Sequence, residues 1–258
     1  MLYQQRKYLQ FLSKASNQHG VHSPFVYLLI TKCFYKKTDK NLWKNFLNIK
    51  QQLLDNKKEI KVTDFGAGSK IFKSNNRKVS KIVKVAGISN KKATLLIKII
   101  AYFKPKKILE IGTSLGLGTS AIKTGNNSAK ILTLEGCPET SKVAQELFDK
   151  NNFTTTKIIT GDFSKTLSTV TQNEEFDCIY FDGNHTKKAT LNYFEECIKK
   201  VHNNSFFIFD DIYWNKEMQD SWETIKNHTK VTVTIDLFYF GIVFFRKEQA
   251  KEHFKIRV

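Results

Sequence analysis

Long apolar runs are the first thing this 258-residue sequence lacks, since lysine interrupts each within a few residues. A helix needs about 20 consecutive apolar residues to cross a bilayer, so no membrane span is expected. Met1–Ser13 mixes basic and apolar residues without a continuous apolar core or a small-residue cleavage site, so no signal peptide is expected. Cysteine is sparse and scattered: Cys33, Cys137, Cys178 and Cys197 form no CxxC pair and show no metal-ligand spacing. That pattern excludes a zinc cluster, and a chain this long gains little from a disulfide framework; reduced thiols and a cytoplasmic location are expected. Arginine is scarce as well. The formal net charge is +18, yet arginine stands only at Arg6, Arg77, Arg246 and Arg257, and lysine supplies the rest. Bidentate recognition of guanine or phosphate favours arginine. The lysines also run through every segment, so a nucleic-acid partner is the rival reading and not the leading one. No internal repeat or low-complexity linker divides the chain.

What the sequence does hold is alternation of strand and helix. Short apolar strands are expected at Ile108–Ile111, Lys130–Leu134, Thr156–Thr160, Phe176–Phe181 and Ser205–Phe209. Between them fall helices at Pro138–Lys150, Ser164–Val170 and Lys187–Val201, the last with Leu191, Phe194 and Ile198 inward. A helix over Lys216–Asn227 then leads to Val231–Ile235 and Gly241–Phe245, read as an antiparallel pair at the sheet edge. The pattern predicts an α/β fold with a doubly wound, mostly parallel, seven-stranded sheet over residues 105–258.

Residues 1–104 read as a helical N-terminal extension. Tyr3–Leu12 has helical spacing. Ser23 and Pro24 form a cap and first helical position, with Phe25, Leu28, Leu29 and Cys33 as the buried face. His19 and His22 flank this cap with no third ligand nearby, which makes them loop residues. Trp43–Leu54 suggests another helix, and Ser89 caps one that stops before Pro105. Between these, Asp64-Phe65-Gly66-Ala67-Gly68-Ser69 opens a turn or lid over residues 64–80, with Lys70, Lys73 and Arg77 as contacts. A plain glycine turn with solvated lysines explains the same residues.

The chain is organised around Lys107–Ile122. A buried strand runs into Gly112, Gly116 and Gly118, and a helix is expected from Thr119. Glycines allow a sharp turn and close ligand approach, while the free N–H groups at the helix start face the same place. In an open α/β sheet, ligands sit beyond the carboxyl ends of the strands. There the sequence collects this turn, Glu135, Gly161-Asp162, Asp182 with His185, and Asp210-Asp211. A carboxylate ending the second strand, here Glu135, can accept both hydroxyls of a nucleoside ribose. It would serve NAD equally well, but the spacing is not GxGxxG.

The form Glu110-Ile111-Gly112-Thr113-x-x-Gly116 resembles that of class I S-adenosylmethionine-dependent methyltransferases, nearest the branch of catechol and caffeoyl-CoA O-methyltransferases. The opening phrase HGVHSPF resembles that of a group of bacterial methyltransferase-like proteins. The resemblance implies S-adenosylmethionine as cofactor. It puts Glu110, Gly112 and Ser114 near its methionine part and Gly161 and Asp162 near its adenine. Thr113, Gly116, Phe163 and Asp182 complete the expected cofactor contacts.

Three carboxylates in one cleft repel each other unless a cation or proton intervenes, and Mg²⁺ suits such oxygen ligands. Asp182, Asp210 and Asp211 match the metal-ligand pattern of the resembled branch, except that Asp211 stands where the catechol enzymes have asparagine. A second reading makes these aspartates helix caps and loop anchors. His185 is the candidate base, with Asp182 beside it, because an imidazole can accept a hydroxyl proton near neutrality. Tyr213 and Trp214 are candidate walls for an aromatic or sugar substrate.

The expected activity is methyl transfer to the hydroxyl of a small molecule. Ribose 2′-O methylation of RNA and a non-catalytic binding module are the alternatives. The fourth strand ends in Phe181-Asp182-Gly183-Asn184, not the Asn/Asp-Pro-Pro-aromatic motif of base amino-group methylation, and no Pro-Cys nucleophile appears.

Overall fold

The computed structural model describes residues 2–63, 72, 74–172 and 174–258. The chain forms two compact units, one of residues 37–170 and one of residues 1–36 with 171–258. The expected turn at residues 64–69, with Lys70 and Lys73, lies outside the described residues. Arg77 is described, and its guanidinium stacks 4.7 Å from the centre of the Phe72 ring.

The chain opens with α1 (Leu2–Leu12) and α2 (Pro24–Leu29), which continues into a single π turn at Ile30–Phe34. Ser23 does cap α2, its hydroxyl accepting from Val26 N at 3.4 Å. The buried face differs from expectation, however. Val26, Leu29, Ile30, Cys33 and Phe34 are inside, while Leu28 is 48% exposed. That stripe sits one residue out of phase with the expected one and runs on through the wider turn.

Within residues 37–170, α3 (Lys40–Leu54) buries Phe46, Ile49 and Leu53. A small antiparallel pair follows, β1 (Glu59–Lys61) with β2 (Asn76–Lys78), then α4 (Val79–Ala86) and α5 (Asn90–Phe103). Ser89 caps α5, and Lys104 ends it in the left-handed region just before Pro105. Next come β3 (Lys107–Ile111), α6 (Leu117–Gly125), β4 (Lys130–Glu135), α7 (Pro138–Lys150) and β5 (Thr156–Thr160). These three strands are parallel, with Leu109 opposite Leu132 and Leu132 opposite Lys157. Helix α6 starts two residues before the expected Thr119.

Helix α8 (Phe163–Thr171) leads into the rest of the other unit. It holds β6 (Cys178–Phe181), α9 (Lys187–Cys197), β7 (Phe206–Asp210), α10 (Lys216–Asn227), β8 (Val233–Asp236), β9 (Phe240–Phe244) and β10 (Glu252–Lys255). A single 3₁₀ turn, not α-helix, covers Ile198–Lys200. Strands β6 and β7 are parallel, and β9 runs antiparallel to both β7 and β8; the β8–β9 pair is antiparallel as expected, but β10 lies outside it at the edge. The core here is aromatic: Phe181 stacks on Phe209 at 4.3 Å, and Phe207 meets Phe245 edge-on at 4.8 Å. Gly241 lets α10 approach the sheet, since a Cβ there would come within 2.6 Å of the Trp222 ring.

Strands β3–β10 hydrogen-bond in the order β10-β8-β9-β7-β6-β3-β4-β5, a mostly parallel sheet of eight strands rather than seven. The additional strand is β10, which pairs parallel to β8 with Glu252 opposite Val233. Its sequence, Glu-His-Phe-Lys, is too polar to give a strand signal. Among the described residues no helix is long and apolar enough to cross a membrane.

Candidate active site

In residues 37–170 the site is built on the turn between β3 and α6. Gly112 and Thr113 both donate their N–H to the Leu134 carbonyl at 3.0 Å, which ties the turn to β4. Gly112 (φ 107°), Ser114 (φ 49°) and Gly116 (φ 84°) take left-handed conformations. At Gly116 glycine is required twice over, because a Cβ would also lie 2.6 Å from the Phe148 ring. Ser114 is not glycine, and its strain is offset by a bond from its N–H to Glu135 Oε2 at 2.7 Å. Glu135 Oε1 accepts from Cys137 N at 2.9 Å. Two backbone amides thus hold this half-buried carboxylate at the carboxyl end of β4. A carboxylate offers about four acceptor positions, so it can take hydroxyl donors as well as these amides.

Glu110 supports this turn. It is fully buried beneath the turn, where one oxygen accepts from the hydroxyls of Thr119 and Thr133, the latter at 2.6 Å. The other oxygen is buried with no hydrogen-bond partner. Burial lifts the carboxyl from its usual 4.5 to about 7; the two hydroxyls pull it back and the charge of Glu135 adds to the rise. With no exposed surface it braces the turn from beneath. Thr113 is likewise buried, its hydroxyl 2.6 Å from that of Thr133. Thr119 and Thr133 were missed in the sequence; the signal for Thr133 was a polar residue inside an otherwise apolar strand.

At the end of β5, Gly161 N donates to the Glu135 carbonyl at 2.8 Å, which fixes this loop beside β4. The Asp162 carboxylate accepts from Ser164 N (2.9 Å) and Ser164 Oγ (2.8 Å), and these bonds hold its pKa below the usual value. It therefore starts α8. Phe163 is half-buried next to it.

In residues 171–258 the expected acids and base follow β6 and β7. Asp182 Oδ2 accepts from the Tyr180 hydroxyl at 3.2 Å, while Oδ1 stands 3.8 Å from His185 Nε2. The His185 ring lies 6.4 Å from that of Trp214, which is 39% exposed. Asp182, His185 and Trp214 thus form one cluster.

Asp210 and Asp211 do not complete a metal site with Asp182. Among the described residues no group of three or more His, Cys, Asp or Glu could hold a metal ion. Asp210 is 4% exposed at the end of β7. Asp211 has φ 51°, with its backbone carbonyl accepting from Trp214 N at 2.8 Å, so the chain turns at that residue. Tyr213 is also no simple substrate wall: it is 5% exposed, and its hydroxyl donates to buried Asp236 at 2.6 Å.

Residues 109–212 match a family model described as a methyltransferase domain. No curated protein matches the chain. Among solved structures, the SAH-bound methyltransferase PaMTH1 of Podospora anserina is 21% identical, over 62% of this chain and 80% of that one, with a TM-score of 0.56. The O-methyltransferase of Bacillus cereus in complex with SAH is 16% identical over 85% and 96%, at 0.55. The O-methyltransferase TomG of Streptomyces achromogenes is 14% identical over 86% and 95%, at 0.54. At such identities the likeness is one of fold. The family match over residues 109–212 and the likeness of fold together make this chain similar to methyltransferases.

Proposed function

We propose that this chain transfers a methyl group from S-adenosylmethionine to a hydroxyl oxygen of a small molecule. The observation that carries the reading is Glu135, held by the amides of Ser114 and Cys137 at the end of β4 within the segment that matches the methyltransferase family. The solved O-methyltransferases of similar fold, two of them holding SAH or SAM, support the donor and the acceptor atom.

The residues present fit the cofactor. The turn offers the amides that begin α6, which no side chain caps, and Glu135 offers carboxylate oxygens to ribose hydroxyls. When bound, S-adenosylmethionine supplies a methyl group activated by its sulfonium. Gly116 keeps the turn open, Glu110 braces it from below, and the link from Gly161 to Glu135 sets the neighbouring loop. On the acceptor side, His185 takes the hydroxyl proton on its Nδ1. Asp182, 3.8 Å from Nε2, stabilises the imidazolium that forms. No step is assigned to Mg²⁺.

The test is formation of S-adenosylhomocysteine over a panel of phenolic, sugar and RNA acceptors, with wild type and His185→Ala. Turnover on a small hydroxyl compound that falls in the variant is expected. Turnover on RNA alone would overturn the acceptor assignment.

A further inference from the structure

A cavity of about 370 Å³ lies in the unit of residues 1–36 and 171–258, roofed by α1. Ligand cavities run from about 300 to 1,000 Å³, so a small organic molecule fits. The roof is held in place. Tyr3 Oη donates to Gln219 Oε1 at 2.6 Å, and the rings of Tyr8 and Phe11 pack on Phe238 at 4.8 and 5.6 Å. Helix α1 turns Lys7, Gln10 and Phe11 to the cavity, and Lys14 joins them from the turn that follows it. The three helical positions share one stripe, which on a helix packed against a domain is ordinarily apolar. Here only Phe11 is.

The floor comes from strand ends. In β8 and β10, Asp236 and Lys255 are register partners, and the Lys255 ammonium lies 3.7 Å from Asp236 and 3.3 Å from the Tyr213 hydroxyl. The charges do not cancel. Three carboxylates are at hand: Glu223 on the wall is paired with Lys226 at 2.6 Å, Asp220, which also feels the charge of Lys7, is bound by Lys216, and Asp236 beneath takes the Tyr213 hydroxyl, the Phe238 amide and Lys255. Lys7 and Lys14 remain as surplus cations on the roof, with the amides of Gln10 and Gln219 beside them. The rings of Phe11 and Tyr213 give the cavity an apolar side.

We propose that this cavity is a binding site for a small organic anion, a carboxylate or phosphate monoester on an apolar or aromatic body, whose charge is met by Lys7, Lys14 and Lys255. The site accounts for α1, which the methyltransferase motifs leave unexplained, and it stands independently of the methyl-transfer reading.

Calorimetry with phenyl phosphate and benzoate tests it, with phenol as the uncharged control. Saturable binding of an anionic probe is expected for the wild type, with none for phenol, and the affinity should fall as salt rises. Lys7→Gln with Lys14→Gln should weaken binding about tenfold, a change of about 1.4 kcal/mol, while the melting temperature and S-adenosylhomocysteine binding stay as they were. If the double variant fails to fold, Glu223→Gln decides the matter: removing a carboxylate from the wall should tighten binding of the anion. Absence of saturable binding at millimolar probe, equal affinity of phenol, or no response to either variant would overturn the proposal.

Discussion

Between residues 37 and 170, the helices after β3 and β4 begin without a side-chain cap: Gly116 before α6 is left-handed, and Cys137 before α7 makes no capping bond. After β6 and β7 the helix starts are closed. Thr186 accepts from Ala189 N at 3.4 Å ahead of α9, and Asn215 from Met218 N at 2.8 Å ahead of α10. Uncapped amides carry the positive end of the helix dipole and suit a polar ligand. Capped starts leave recognition to side chains, here the Asp182–His185–Trp214 cluster. One region thus presents uncapped backbone amides beside Glu135, and the other presents a side-chain cluster.

Substitutions sharpen this contrast, and the largest effect should come from the side-chain region. His185→Ala removes the base and should lower turnover by about 10²–10⁴-fold, with cofactor affinity unchanged in calorimetry. An equal loss of cofactor binding would place His185 in the other role.

The backbone region should answer through stability instead. The folded chain holds a proton on Glu110 up to about pH 7, which the unfolded chain releases above about 4.5. The stability from this group is therefore full below pH 4.5 and is lost as pH rises through 7, to a total on the order of 3 kcal/mol. Glu110→Gln mimics the protonated acid. Its melting temperature should match wild type at pH 5 and exceed it at pH 8; an unchanged difference across that range would contradict the brace. Gly116→Ala forces a Cβ into a left-handed residue against Phe148 and should cost about 2 kcal/mol in denaturant unfolding. On the capped side, Asn215→Ala should cost about 1 kcal/mol by the same measurement. If the Gly116 change cost less than the Asn215 change, the contrast between the regions would fail.

Much of this was legible in the sequence where local chemistry decides the structure. Pro138–Lys150 and Lys216–Asn227 were readable because a proline, an asparagine and a clear apolar stripe mark their ends. Glu135 was readable because a lone acid follows an apolar run. Strand β10 was not, since it owes its conformation to pairing with β8 rather than to its own polar residues. The burial of Glu110 was hidden for a related reason. Thr119 and Thr133 are distant in sequence and meet it only when β3, β4 and α6 pack. The local structure of the aspartates was not legible either: Asp210 is buried in β7, while the chain turns at Asp211.

The central claim is that Glu135, held by two backbone amides, anchors the ribose of S-adenosylmethionine, and calorimetric titration of S-adenosylhomocysteine tests it most directly. The account predicts micromolar binding to wild type, about −8 kcal/mol, and a loss of at least about tenfold in Glu135→Ala. Equal affinity for the two proteins, or a preference for NAD over S-adenosylhomocysteine, would contradict it.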